Sequence, residues 1–227
     1  LLVLDKPAGL ATQGGSKTLE HVDRLLRAYT KDGDDKPKLV HRLDKETSGV
    51  VVVAKNRRAA EYLGNAFKQR EVDKTYLAIT LGVPHSHAGI IKASLVKKGS
   101  ATGDKVVVDP DDGKPAQTAY RVLAYHDDVA LIACRPLTGR MHQIRVHLAH
   151  LGTPILGDGK YGGGVRGKAH YSDLGRYAQN LWLHALNLTI PHPKTHKRKR
   201  FTAPVPTEMQ AALSALGLHV PEVTDTS

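Results

Sequence analysis

The chain has 227 residues, 41% of them hydrophobic, which is enough for one large buried core or two small ones and too apolar for intrinsic disorder. Lys and Arg number 33 against 22 Asp and Glu, a formal charge of +11, so polyanions, nucleic acid first, are the partners its field attracts. The longest apolar runs, such as residues 50–54, fall far short of the ~20 residues that span a bilayer, and no charged-then-apolar leader opens the chain. A single cysteine, Cys134, precludes an intramolecular disulfide and fits a reducing, cytoplasmic compartment.

In chain order, residues 1–4 read as a strand running into Lys6-Pro7-Ala8-Gly9, where Pro and Gly make a turn and leave a Lys at the strand end. Leu19, Val22, Leu25, Leu26 and Tyr29 recur at helical spacing after Thr18, an N-cap type, and residues 31–38 form a charged loop. The β-branched run at 50–54 predicts a buried strand, and Asn56 is placed to cap a helix whose apolar face holds Ala59, Leu63, Ala66 and Phe67. Strands follow at 76–83, 89–95, 105–108, 116–125 and 129–135, a helix at 140–151, a strand at 181–190 and a last helix at 209–218. Grouped strands interrupted by single helices predict an α+β fold, one continuous domain over 1–227, with a mixed, largely antiparallel sheet and flanking helices.

Two constellations carry chemistry. In His41-Arg42-Leu43-Asp44-Lys45-Glu46-Thr47-Ser48-Gly49 an Asp stands between two cations, which favour its ionised form and suit it as nucleophile or electrostatic stabiliser. The alternative for this stretch is a solvated loop with a structural Asp–Arg pair. In Leu137-Thr138-Gly139-Arg140-Met141-His142-Gln143-Ile144-Arg145-Val146-His147 a turn enters a helix with Arg, His and Gln at its start, the makings of an anion site. Arg140 and Arg145 are five apart and point in different directions, so one of them, not both, pairs with Asp44.

Together with Leu4-Asp5-Lys6-Pro7-Ala8-Gly9, Asp73-Lys74-Thr75-Tyr76-Leu77-Ala78, Leu183-His184-Ala185-Leu186 and Pro191-His192-Pro193, these segments resemble the RluA-type pseudouridine synthases through most of the chain. Gln13-Gly14-Gly15-Ser16 is similar to the RluC-like branch. The resemblance implies an α+β catalytic domain with a basic cleft for one flipped-out uridine, acting as a monomer on structured RNA, large-subunit ribosomal RNA ahead of transfer RNA. No cofactor and no metal are implied. By matching position, Asp44 is the catalytic aspartate, Tyr76 the aromatic residue against the uracil, and Arg145 the partner of Asp44. Arg42, His41, Lys6, Arg140, His142 and Gln143 are then substrate- or RNA-binding, and Leu183, or else Leu181, is the aliphatic residue against the tyrosine. Many members carry a small S4-like RNA-binding domain upstream, whereas 1–227 opens on the first catalytic motif, so that domain is expected to be absent from this chain.

The chemistry agrees: isomerisation cleaves N1–C1′, turns the base, joins C5 to C1′ and loses the C5 proton without redox change. A carboxylate that attacks C1′ or removes a ribose proton suffices, on a base that has left the stack. A phenol's reference pKa of ~10 makes Tyr76 a stacking surface before it is a base. Gly157-Asp158-Gly159-Lys160-Tyr161-Gly162 spells a dinucleotide fingerprint but runs into further glycines instead of a helix, and residues 162–169 miss the Ser/Thr of a P-loop. His142, His147 and His150 lack a zinc motif, and Cys134 reads as a small core residue. The run 192–200 is basic enough for RNA, or is a solvated charge cluster. A noncatalytic RNA-binding protein leaves Asp44 unexplained, and a glycosidase ordinarily needs a second carboxylate, for which Glu46 points elsewhere.

Overall fold

Residues 1–15, 20–30, 36–99, 104–162 and 174–219 are described by the structure, a computed structural model. Their elements are β1 (Leu2–Lys6), α1 (Val22–Leu25), β2 (Lys38–Leu39), β3 (Ser48–Ala54), α2 (Arg57–Gln69), β4 (Asp73–Leu81), β5 (Ala88–Lys92), β6 (Leu95–Lys98) and β7 (Lys105–Val108). They continue with β8 (Gln117–His126), β9 (Val129–Pro136), α3 (Gln143–His150), β10 (Leu183–Pro191), β11 (Arg198–Thr202) and α4 (Thr207–Ala215). Two compact units emerge: residues 1–75 with 184–205, and residues 76–183 with 206 onward. The class is α+β with a mixed sheet, as the grouping of strands and helices predicts.

In the first unit β3 pairs antiparallel with β1 and β2 and parallel with β10, and β11 closes a hairpin with β10. Every residue of β3 is buried, which explains why its sequence is a continuous apolar run without alternation. Val50, Val52 and Ala54 face α2 through Leu63 and Ala66, joined by Leu188 and Ile190 of β10. Asn56 caps α2 as expected, its side chain accepting from Ala59 N–H at 2.9 Å, and Arg70 ends it in the left-handed region.

In the second unit β4, β9, β8 and β5 form an antiparallel run, and β6 and β7 make a separate ladder. Residues 154–156 lie against β4, Leu81 N–H donating to Pro154 O and Leu156 N–H to Ile79 O, both at 2.9 Å. That placement delivers the following Gly157-Asp158 turn to the neighbourhood of α3.

Several boundaries differ from the sequence reading. The helix expected over 19–29 is a single α-turn capped by His21 followed by a 3₁₀ turn over Leu26–Tyr29, and Thr18, the expected cap, lies outside the described residues. The helix expected from 140 starts at Gln143, because His142 adopts φ 52° and breaks the helical path. Residues 198–200, read as part of a charged run, open β11, where Phe201 packs on the α2 core while its neighbours face solvent. The P-loop-like residues beyond 162 lie outside the described residues.

Candidate active site

In the first unit the chain around Asp44 is tied down on both sides. Thr12 Oγ1 donates to Leu43 O at 2.8 Å and accepts from Leu43 N–H at 3.1 Å, so one buried hydroxyl satisfies both backbone groups of the preceding residue. On the other side Lys45 O accepts from Lys6 Nζ at 3.1 Å and from Gly9 N–H at 3.0 Å. Thr47 N–H donates to Asp44 O at 3.1 Å, closing a turn that feeds straight into β3. The Asp44 side chain is half-buried, and Arg42 and Lys45 on either side of its turn are exposed.

Lys6 is therefore a tether and not an RNA-facing residue. It is 1% exposed, and its ammonium donates to Pro7 O (2.8 Å), Leu10 O (2.7 Å) and Lys45 O, one N–H for each carbonyl. Burial pushes its pKa down to about 8, while the charges of Glu46 and Asp44 act upward. His41 is likewise structural. Its Nε2 accepts from Val52 N–H at 2.9 Å and its ring stacks on Phe67 at 4.9 Å, with Lys74 over the same Phe67 ring at 5.4 Å. Burial, with a smaller push from Lys74, lowers His41 to about 3, so it is neutral and offers no charge to a phosphate. Downstream of the turn, Ser48 Oγ bonds His184 Nδ1 at 2.9 Å. At Gly49, with φ 115°, a Cβ would stand 2.2 Å from Ala185 O, so the backbone-to-backbone approach there admits only glycine.

In the second unit Arg145, on α3, holds a carboxylate that sequence reasoning missed. Its Nε and NH2 donate to the two oxygens of Asp158, both at 2.8 Å; the Asp158 side chain is buried, 1% exposed, and that of Arg145 is 12% exposed. Asp158 Oδ1 also accepts from Lys160 N–H and Tyr161 N–H, which shape the turn that presents it. Tyr161 lies under the guanidinium at 5.0 Å, and its hydroxyl accepts from Val106 N–H (3.1 Å) and meets His142 Nδ1 (2.7 Å). The glycine-rich segment is thus a loop, as expected, whose function is to carry Asp158 and Tyr161 to Arg145. Gly157 makes it possible: with φ 79°, a Cβ would meet Asn180 O at 1.7 Å.

Gln143 is not presented to RNA. It is 4% exposed, its Oε1 accepts from Thr138 Oγ1 (2.7 Å) and Arg140 N–H (3.0 Å), and its Nε2 donates to Gln117 O (2.9 Å) and Thr118 Oγ1 (3.0 Å). All four bonds go to the protein, fixing the turn before α3. Arg140 is half-buried, with Nε directed at Pro115 O (3.4 Å). Tyr76, half-buried, opens the unit opposite Cys134 across β4 and β9. Leu183 is buried and Leu181 half-exposed. Cys134 is a buried thiol pushed up to about 12, the core residue its position implies. Among the described residues no group of three or more His, Cys, Asp or Glu side chains is placed to hold a metal ion, and no helix is long and apolar enough to cross a membrane.

Comparison with known proteins places these motifs. Residues 1–150 match the family model of RNA pseudouridylate synthase. Ribosomal large subunit pseudouridine synthase C of Rickettsia prowazekii is 41% identical over 207 residues, 91% of this chain and 65% of that protein. Its namesake in Pasteurella multocida is 39% identical over 220 residues, 95% of this chain and again 65% of the other. This chain thus spans 65% of the length of these relatives. Among solved structures, human RNA pseudouridylate synthase domain containing 4 superposes with a TM-score of 0.79 at 30% identity, covering 97% of this chain and 91% of that one. The human domain containing 1 protein gives 0.70 at 26%, covering 97% and 92%. A family match over residues 1–150, together with likeness over nearly the whole chain, leaves one conclusion: the chain belongs to the RNA pseudouridylate synthase family.

Proposed function

We propose that this protein isomerises specific uridines to pseudouridine in large-subunit ribosomal RNA, working in the cytoplasm as a monomer and as one catalytic domain. The observation that carries the reading is the Asp44 turn, a carboxylate held through the backbone on both sides and flanked by exposed Arg42 and Lys45. A solvated loop has no need of a buried threonine and a buried lysine as tethers. The two relatives named for the large ribosomal subunit support the choice of ribosomal RNA over transfer RNA.

The Asp44 carboxylate either attacks C1′ or removes a ribose proton, and either route releases N1 of the uracil. The base turns, C5 bonds to C1′ as the Asp44 carboxylate leaves or the ribose proton returns, the C5 proton is lost and N1 takes up a proton in its place, so product and substrate have the same atoms. Tyr76 lies against the uracil, with Leu183 behind it. Arg145 aims the Asp44 carboxylate, and Arg42, Arg140 and His142 engage the RNA around the flipped nucleotide.

Asp44→Asn keeps size and removes the ionised carboxylate. Its expected behaviour is RNA affinity within about twofold of wild type and no detectable pseudouridine in large-subunit RNA mapped at single-nucleotide resolution. Pseudouridine formed by this variant at the wild-type rate overturns the assignment. A map in which only a transfer-RNA site depends on the protein overturns the substrate.

A further inference from the structure

The two ends of the first unit carry different groups. The Asp44 turn leads into Ser48 at the start of β3, where β10 pairs in parallel through His184 and Ser48. The pairing is parallel at His184–Ser48 and Ala185–Gly49, and further on Leu188 and Ile190 share one core with Val52 and Ala54, so both strands run toward the same end, seven residues on, at Lys55 and Pro191. At ~3.3 Å per residue that is about 23 Å from the Asp44 end. The antiparallel pairing of Lys38 with Ala54 brings β2 to the same far end, and the N-terminus of α2 starts there.

This far end is strongly basic. Lys38, Lys55, Arg58, Lys194, Lys197 and Lys199 are all exposed, and none makes an ion pair among the described residues. Residues 192–207 contain no Asp or Glu. The hairpin between β10 and β11 is not loose: His196 meets Tyr62 of α2 at 3.0 Å, Arg198 reaches Glu71 O and Asp73, and Asn187, its amide set by its partners, accepts from Arg200 at 2.8 Å. Two of the hairpin's five cations are therefore tethers that fix it, and the three lysines project from a rigid mount.

We infer that this basic end is a second RNA-docking surface, which grips the phosphate backbone of RNA flanking the target while the uridine is worked on at the Asp44 end. The inference rests on the RNA substrate proposed above and adds where the flanking strand runs. A Debye length of ~8–10 Å at physiological salt is less than half of the separation, so these charges do little for a ligand confined to the Asp44 end. They act only on RNA long enough to reach them. The competing explanation, that the lysines merely guard the β11 edge against pairing with another chain, predicts no dependence on RNA length.

The test uses the triple variant Lys194→Gln, Lys197→Gln, Lys199→Gln, and separately Lys55→Gln with Arg58→Gln, after thermal unfolding shows wild-type stability. The probes are unmodified large-subunit ribosomal RNA made by transcription and a minimal stem-loop around the uridine converted in it. On the long RNA the triple variant should bind roughly tenfold more weakly at ~0.1 M salt, with the slope of log affinity against log salt shallower by about 2. On the stem-loop, its affinity and single-turnover rate should equal wild type. The double variant should show a smaller loss of the same kind. Unchanged affinity for the long RNA, or an equal loss on both RNAs, overturns the inference. Failure of the wild-type chain to form pseudouridine in either RNA overturns the proposed function itself, an outcome read independently of the binding comparison.

Discussion

A guanidinium presents five N–H groups in a rigid plane, and Arg145 commits two of them to Asp158. That bidentate pair, with Tyr161 beneath the plane, sets the direction in which the other three point. Lysine at 145 keeps the charge but loses the plane, so Arg145→Lys should lower the single-turnover rate by tenfold or more on the scale of a lost directed contact, ~1.4 kcal/mol per decade, with RNA affinity little changed. Arg140→Lys should do less, because among the described residues the Arg140 side chain makes only a long contact to a carbonyl. Asp158 acts through Arg145, so Asp158→Asn should fall between the two in rate while leaving affinity for RNA intact. Rates measured with enzyme in saturating excess decide it; an Asp158→Asn variant that weakens RNA binding but reacts at full speed would show that Asp158 serves docking and not alignment.

At the scale of elements, the Asp44 turn has its geometry from segments distant in sequence. Thr12 reaches Leu43 across 31 residues and Lys6 reaches Lys45 across 39. Thr12→Val keeps the shape and removes both bonds, leaving a buried N–H and C=O without their partner, a loss of about 1–3 kcal/mol in stability. Denaturant unfolding should show that loss, and the isomerisation rate of the fraction still folded should fall as well; full activity in the folded fraction would mean that the Lys6 and Gly9 ties alone position Asp44. Such contacts explain what the sequence left unread. The β3 run, the Asn56 cap and the α2 face are local patterns, and each appears where its pattern stands. Thr12, Asp158 and Tyr161 have no local signature, and Lys6, His41 and Gln143 look like ligand groups by type alone. Only burial separates a lysine that holds a loop from one that holds a phosphate. β11 was hidden for a related reason: its single inward aromatic, Phe201, is surrounded by cations that read as a solvated run.

For the molecule as a whole, the buried histidines make stability a function of pH in both units. His41 and His184 in the first and His147 in the second are held neutral by burial, each below the ordinary imidazole value, His41 at about 3. Each uses its ring in the fold: His41 accepts from Val52 N–H, His184 meets Ser48, and His147 meets Thr118 at 2.9 Å. Unfolded, the three titrate near 6.5, so below that pH the unfolded chain binds protons that the folded chain refuses. Stability is then fully present above ~6.5 and falls as acid is added, with a limiting slope of about 1.4 kcal/mol per pH unit from His41 and contributions of the same sign from His147 and His184. Thermal unfolding of the RNA-free protein at pH 7, 6 and 5 should show the midpoint dropping progressively, before carboxylate titration sets in. His41→Gln, which keeps an acceptor for Val52 N–H but cannot take up a proton, should unfold at a lower midpoint at pH 7 and lose less between pH 7 and 5 than wild type. Parallel losses in the two proteins would remove His41 from the account and leave the acid sensitivity to His147 and His184.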